Sequence, residues 1–378
     1  MTSPLRARIL NAAADLDVSV WNSLAGTDHP FTRYEFFHAL EASGSATAQT
    51  GWQPCHILLE AGDTPIGLLP AYLKSHSYGE YVFDHNWAHA YERAGGRYYP
   101  KLQMSVPFTP ATGPRFLCQT EEQAGQLIQA AQNICLNNGF SSLHCTFLNE
   151  RDKAIAEGAG LAIRKDEQFH WNNDGYHHFE DFLTTLTSRK RKAIRKEREA
   201  ALAGGLEIEV LSGPNITEAH WDAFFDFYQD TGARKWGTPY LTRSFFSQIS
   251  ETMSEQIVLF LAIRQGKPIA GALNFQGKTA LYGRYWGAIE HHPFLHFELC
   301  YYQAIDHAIA QGLSRVEAGA QGAHKIARGY VPVATYSAHW MADEGFHQAV
   351  EDFVSVERDE VEFQIKHLSR HAPFKKQP

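Results

Sequence analysis

Ile257-Val-Leu-Phe-Leu-Ala-Ile-Arg264, Gln265-Gly-Lys-Pro268 and Ile269-Ala-Gly-Ala-Leu-Asn-Phe275 form the stretch on which the fold turns. Two apolar runs flank a short connection containing glycine, which predicts an antiparallel hairpin. A third strand is predicted over 280–288. A helix over about 297–311 follows, with Gly312 as its stop, and then a strand over 314–318. Upstream, a helix over 179–203 ends at Gly204-Gly205, and a strand covers 206–211. The next helix starts at Thr217. Its Trp221, Phe224, Phe225 and Tyr228 recur at i, i+3, i+4 and i+7 and mark a buried stripe.

The first half repeats this order. Strands over 54–60 and 66–74 flank Ala61-Gly-Asp-Thr-Pro65. A helix over 121–137 stops at Asn138-Gly139, and a strand covers 142–148. Asp63-Thr-Pro-Ile-Gly-Leu-Leu69 echoes Gly266-Lys-Pro-Ile-Ala-Gly-Ala272. We read a duplicated α/β (α+β) unit: two lobes, each a mixed, mostly antiparallel sheet flanked by helices. The first lobe covers 1–170 and carries an aromatic insertion over 78–114. The second covers 171–378 and carries a basic helix over 179–203. Helices are also predicted over about 30–43 and 346–368.

The 378 residues are ample for two cores. A formal charge of −8 excludes a chain that coats nucleic acid as a whole, so any polyanion site must be local. Five cysteines with no CxxC pair argue against a disulfide framework and for a reducing compartment. No signal peptide or apolar run of membrane length is visible, so a soluble cytoplasmic protein is expected. His85 and His89, and the group His291, His292 and His296, lack a matching thiolate, and no metal site is expected. No Gly-x-Ser-x-Gly elbow is present.

Five strings, in order, resemble the FemAB-like group of N-acyltransferases within the GNAT superfamily. They are Ser188-Arg-Lys-Arg-Lys-Ala-Ile-Arg-Lys-Glu-Arg198, Phe227-Tyr-Gln-Asp-Thr-Gly-Ala-Arg-Lys-Trp-Gly237, Pro268-Ile-Ala-Gly-Ala-Leu-Asn-Phe275, Tyr282-Gly-Arg-Tyr-Trp-Gly-Ala288 and Glu317-Ala-Gly-Ala-Gln-Gly-Ala-His-Lys-Ile-Ala-Arg-Gly-Tyr330. The resemblance implies two tandem GNAT-like lobes. It also implies transfer of an acyl or aminoacyl group from an activated ester or thioester to an amine, with a cell-wall (peptidoglycan) precursor as one acceptor class.

Two regions carry candidate chemistry. In the basic helix, Arg189, Arg191, Lys192 and Lys196 are candidates for holding phosphates. After the last core strand, three glycines let the backbone approach a ligand, and Lys325 and Arg328 are candidates for oxyanion or phosphate binding. The resemblance makes Tyr330 the proton donor to the leaving group. Glu317 and Glu290 are alternative general bases. Gln321, His324, Arg234, Lys235, Arg284 and Tyr285 complete the substrate-binding set. The place of the GNAT coenzyme A loop is held by Glu290-His-His-Pro-Phe-Leu-His-Phe297, which has no glycine. Acyl-CoA and aminoacyl-tRNA both stay open as donors, and the missing glycines favour transfer RNA. No bound cofactor is assigned, and the oligomeric state is not set. The rival reading is a non-catalytic RNA- or nucleotide-binding protein that grips its ligand through 188–198.

Overall fold

The computed structural model describes residues 4–235, 239–319 and 322–375; the side chains of 233–235 and 323 lie outside the described set. The fold is mixed α/β, with sheets flanked by helices. Two compact units divide the chain. The first comprises Met1–Asp166 with Ala334–Glu362, and the second Glu167–Val333 with Phe363–Pro378.

In the first unit, strands Leu5–Leu10, His56–Ala61, Thr64–Leu69 and Leu117–Cys118 form an antiparallel sheet in that order. The Gly62-Asp63 turn closes the predicted hairpin, with Ala61 opposite Thr64. The run predicted as one strand over 66–74 breaks at Pro70, whose missing N–H cannot continue a ladder. Tyr72–Lys74 pairs instead with Trp52–Pro54 on one side and Lys101–Met104 on the other. Lys101–Met104 runs parallel to Ser142–Thr146, which pairs antiparallel with Ser337 to Met341 of the strand Val331–Met341. Helix Glu121–Asn138 starts at a Thr120–Gln123 capping box and ends at Gly139 in the left-handed region. It covers a core built on Ile57, Leu102, Leu127, Leu143 and Cys145. The 78–114 insertion includes a helix, His85–Arg93, and the buried strand Lys101–Met104.

In the second unit the sheet order is Leu206–Ser212, Ile257–Arg264, Lys267–Gln276, Ala280–Ala288 and Arg315–Glu317, followed by residues from Glu167 onward of the strand Ala162–Asn172. All neighbours are antiparallel except Ala280–Ala288 with Arg315–Glu317. Helix Glu218–Lys235 buries Trp221, Phe224, Phe227 and Tyr228. It packs so closely on Ala280–Ala288 that a Cβ on Gly287 would stand 2.2 Å from the Phe227 carbonyl oxygen. The helix predicted over 179–203 is two helices, Phe179–Thr185 and Ser188–Ala201. Leu186 between them is buried and bridges to Phe374, and the Thr187 amide donates to the Pro373 carbonyl, so these backbone groups leave the helical pattern. The helix predicted over 297–311 contains a π-helical turn, Glu298–Tyr302, ahead of Gln303–Ala310. All five cysteines are thiols, and no described helix is long and apolar enough to cross a membrane.

Candidate functional site

The second unit gathers its chemistry where strand Arg315–Glu317 ends and the chain turns back through Ala323–Arg328, a 3-10 helix. Gly322 and Gly329 bracket this turn at φ of 110° and 88°, which L side chains rarely adopt. A Cβ at Gly329 would also stand 2.6 Å from the Phe182 ring. The turn is held from within by Lys325. Its Nζ donates to the carbonyls of Ala318 at 2.7 Å and Gly319 at 2.9 Å, and burial pushes its pKa down to about 8.

Arg328 is 6% exposed, and its guanidinium carbon lies over the Phe297 ring, 3.4 Å from the centroid. It donates to the His324 carbonyl at 2.8 Å and to Glu197 at 2.9 Å. Its Nε has no hydrogen-bond partner among the described residues. Tyr330 is fully buried, and its hydroxyl donates to the Tyr301 carbonyl at 3.3 Å. Burial holds that phenol well above its ordinary pKa. The side chain expected to protonate a leaving group is therefore packed under the turn.

The phenol that meets His324 is Tyr301, from the π-helical turn, itself 4% exposed. Its hydroxyl lies 2.9 Å from Nε2 of His324, which is exposed. Burial raises the Tyr301 pKa, so this phenol stays protonated, and in the tautomer with its hydrogen on Nε2 His324 donates to the phenol oxygen and leaves Nδ1 free. His324 is shifted the other way, by partial burial and then by the nearby Arg328 and Lys325 charges, so its neutral form is favoured. An exposed imidazole, held by a phenol beside two cations, suits proton transfer. Sequence spacing gave His324 but missed Tyr301, because a π-helical turn shifts side-chain phase relative to an α-helix.

The other predicted residues spread over the unit. Glu317 is 3% exposed, accepts from Arg315 Nε at 2.9 Å, and has His170 Nε2 at 3.8 Å. Glu290 lies nearer the surface, between Arg264 at 2.6 Å and His292 at 3.0 Å; the His292 and Arg264 hydrogen bonds lower its pKa. Arg284 and Tyr285 sit on Ala280–Ala288, with the guanidinium 5.1 Å from the Tyr285 ring and Tyr285 edge-on to Tyr228. Gln321 and the side chains of Arg234 and Lys235 lie outside the described residues.

Helix Ser188–Ala201 docks through Ile194, Ala201, Glu197 and Arg198. Arg198 grips Glu298 by Nε at 3.1 Å and Nη2 at 2.8 Å, and reaches Asp306 at 2.7 Å. Glu197 takes both Arg328 and the Tyr302 hydroxyl. This inward pair ties the basic helix to the 323–328 turn. Arg189, Lys192, Arg195 and Lys196 stay exposed, and Lys190 and Arg191 are half-buried. Arg195 pairs with Glu180. The exposed cations face solvent as a polyanion surface requires.

If the exposed cations of this helix hold RNA phosphates, reversing the charges of Arg189, Lys192 and Lys196 to Glu weakens binding of a single-stranded RNA tenfold or more. It should also flatten the slope of log affinity on log salt by about 2, at roughly 0.7 per phosphate contact. Filter binding over a salt series reads both numbers; an unchanged slope would remove the helix from the binding surface.

The described structure thus has two mixed α/β units, the second with a cationic, glycine-bracketed turn after strand Arg315–Glu317. Residues 12–376 match the FemAB-like family, described as peptidoglycan biosynthesis/recognition, and the chain belongs to that family. The sequence matches no curated protein significantly. Among solved structures, FemX is similar at 12% identity and a TM-score of 0.55, over 89% of this chain and 98% of its own. The C-terminal domain of a putative lysylphosphatidylglycerol synthetase from Agrobacterium fabrum aligns at 10% identity and a TM-score of 0.53, over 91% and 97%. L-PGS from Bacillus licheniformis aligns at 10% identity and 0.52, over 92% and 98%. At these identities the likeness is one of fold.

Proposed function

We propose that the second unit transfers an acyl or aminoacyl group from an activated ester or thioester to an amine, with His324 as the proton-transfer group. The observation that carries this reading is the 2.9 Å pairing of exposed His324 with buried Tyr301, beside Arg328, on a turn that Lys325 closes. The amine nitrogen attacks the donor carbonyl carbon while neutral His324, its Nε2–H donating to the Tyr301 oxygen, accepts the amine proton at Nδ1. The carbonyl π pair moves to oxygen, where a cation offsets the negative charge. Collapse breaks the bond to the leaving oxygen or sulfur, and the proton held by His324 passes to it. Tyr301 fixes the imidazole, and Lys325 and Tyr330 fix the turn. Glu317 and Glu290 remain alternative bases in this scheme.

Family membership supports an amine of a peptidoglycan precursor as acceptor. The exposed cations of Ser188–Ala201 and the glycine-free 290–297 loop support aminoacyl-tRNA over acyl-CoA as donor. The five thiols support a cytoplasmic setting.

The test is a product assay by mass spectrometry, in which the purified chain is offered mixed aminoacyl-tRNA or acetyl-CoA together with a peptidoglycan precursor bearing a free amine. His324→Gln should lower turnover by about 100-fold or more, at the scale of lost acid–base catalysis, without weakening donor binding. Full turnover in that variant would remove His324 from the reaction. Tight RNA binding by the wild type with no product from any donor would favour the binding-protein reading.

A further inference from the structure

The first-unit strands Tyr72–Lys74, Lys101–Met104, Ser142–Thr146 and the 334–341 part of the last strand carry two unlike faces. One is apolar: Leu102, Met104, Leu143, Cys145 and Ala338 enter the core beneath helix Glu121–Asn138. The alternate residues on the other face are Lys74, Lys101, Gln103, His144, Thr146 and His339, none more than 1% exposed. Gln103 pairs in register with Tyr72 on one side and His144 on the other, and His144 with His339, so a polar row crosses four strands. Sheet faces buried this deeply ordinarily carry apolar side chains, because a polar group taken from water needs a partner.

Part of the row has partners. Lys101 Nζ donates to Ser77, Glu80 and Asp84 at 2.8, 2.7 and 2.5 Å, and Nδ1 of His144 lies 2.8 Å from Nδ1 of His339. The rest does not. Among the described residues, Gln103 Oε1 and Nε2, Glu80 Oε1, Asp84 Oδ1, Ser105 Oγ and Thr146 Oγ1 are buried with no hydrogen-bond partner. Gln103 is decisive, for it is a wholly buried amide with neither end bonded, at the centre of the row. Such groups call for a partner from outside the chain, a ligand or an ordered water.

The segment 75–98 lies over this face: Ser77, Glu80 and Asp84 meet Lys101, and Trp87 packs on His144 and His339. Tyr81 within it, and Phe108 beyond strand Lys101–Met104, adopt φ of 59° and 58°, a strained region for side chains of that size. Phe108 meets Trp52 edge-on at 5.3 Å, and Lys74 Nζ sits 3.5 Å above the Trp52 ring. The charges cancel: two lysines, Lys74 and Lys101, stand against two carboxylates, Glu80 and Asp84. Burial keeps His144 and His339 in their neutral forms. An ion would meet like charge beside every opposite one. The unpartnered set holds donors and acceptors together, next to aromatic rings, which matches a neutral ligand bearing many hydroxyls.

We infer that this face is a binding site for a sugar ring, with Gln103 at its centre and segment 75–98 as the cover that opens to admit it. The inference does not rest on the transferase reading, and its test reads binding instead of turnover.

The experiment is thermal unfolding of the full chain with N-acetylglucosamine or glucose at millimolar levels, with sorbitol as a control for general co-solvent stabilisation. The wild type should show a saturable rise in Tm with a sugar and none with sorbitol, together with slowed hydrogen exchange over 75–98. Gln103→Met, of similar shape and without the amide, should raise the Tm of the unliganded protein by about 2–4 °C and abolish the sugar response. Thr146→Val should repeat that pattern more weakly. A wild type with no saturable sugar response overturns the inference. So does a Gln103→Met variant that melts lower or fails to fold, since its amide would then be satisfied in the closed protein.

Discussion

Lys101→Met should cost about 3–5 kcal/mol of stability, the scale for removing one partner of a buried ion pair. The ammonium is fully buried and holds Glu80 at 2.7 Å and Asp84 at 2.5 Å, both themselves buried. Without it, two carboxylates remain out of water, with Lys74 at 3.8 Å from Glu80 as the nearest other cation. The carboxylates already differ. Burial raises Glu80 to a pKa of about 7, whereas the Lys101 charge holds Asp84 far below its ordinary value against the same burial. Methionine fills the lysine's space, so the loss is electrostatic and not a cavity effect. Urea denaturation measures it, and adding Glu80→Gln should recover part of the loss by removing one stranded charge. A single-variant cost below about 1 kcal/mol would mean that the cluster rearranges freely and is not a fixed network.

The second large effect lies at Gly287. Alanine there should cost about 3 kcal/mol or more, at the upper end for overpacking. The new methyl would stand 2.2 Å from the Phe227 carbonyl oxygen and 2.3 Å from its carbon. Both are backbone atoms in mid-helix, and neither can swing aside. Relief requires helix Glu218–Lys235 to lift from the strand Ala280–Ala288, loosening the Phe224 and Tyr228 packing along its length. Gly125→Ala is the matched control. Gly125 lies within helix Glu121–Asn138, and an added Cβ meets nothing within 4 Å. Alanine there should stabilise by about 0.5–1 kcal/mol, the usual gain over glycine in a helix. Opposite signs in two denaturation curves would establish the close approach; equal, small effects would disprove it.

Much of the candidate turn was legible because its signals are local. The glycines of 317–330, the cations at 325 and 328 and the basic run after Ser188 can be read from residue type alone. What Tyr330 does could not be. A tyrosine after a glycine fits a surface proton donor or a buried pillar equally well. Only the packing of Phe182, Trp171 and Tyr301 around Gly329 and Tyr330 puts it inside. Tyr301 was missed for the related reason that a π-helical turn leaves no mark in a 3.6-residue pattern. The polar sheet face was missed because its residues come from four strands far apart in sequence.

The sequence by itself determined the two hairpins, the capped helix Glu121–Asn138 and the strand Ala280–Ala288. Periodicity and turn chemistry act over a few residues, and these elements express them directly. Tertiary structure alone decided that Ala162–Asn172 and Val331–Met341 are strands. The first is crossed by charges and the second holds Pro332, so neither alternates cleanly. Tertiary structure also decided that 334–362 folds with the first unit, and that Gln103 lies buried at the centre of a polar row. These outcomes depend on which distant strands pair, and pairing is settled by the burial of whole faces, not by the preference of any short run.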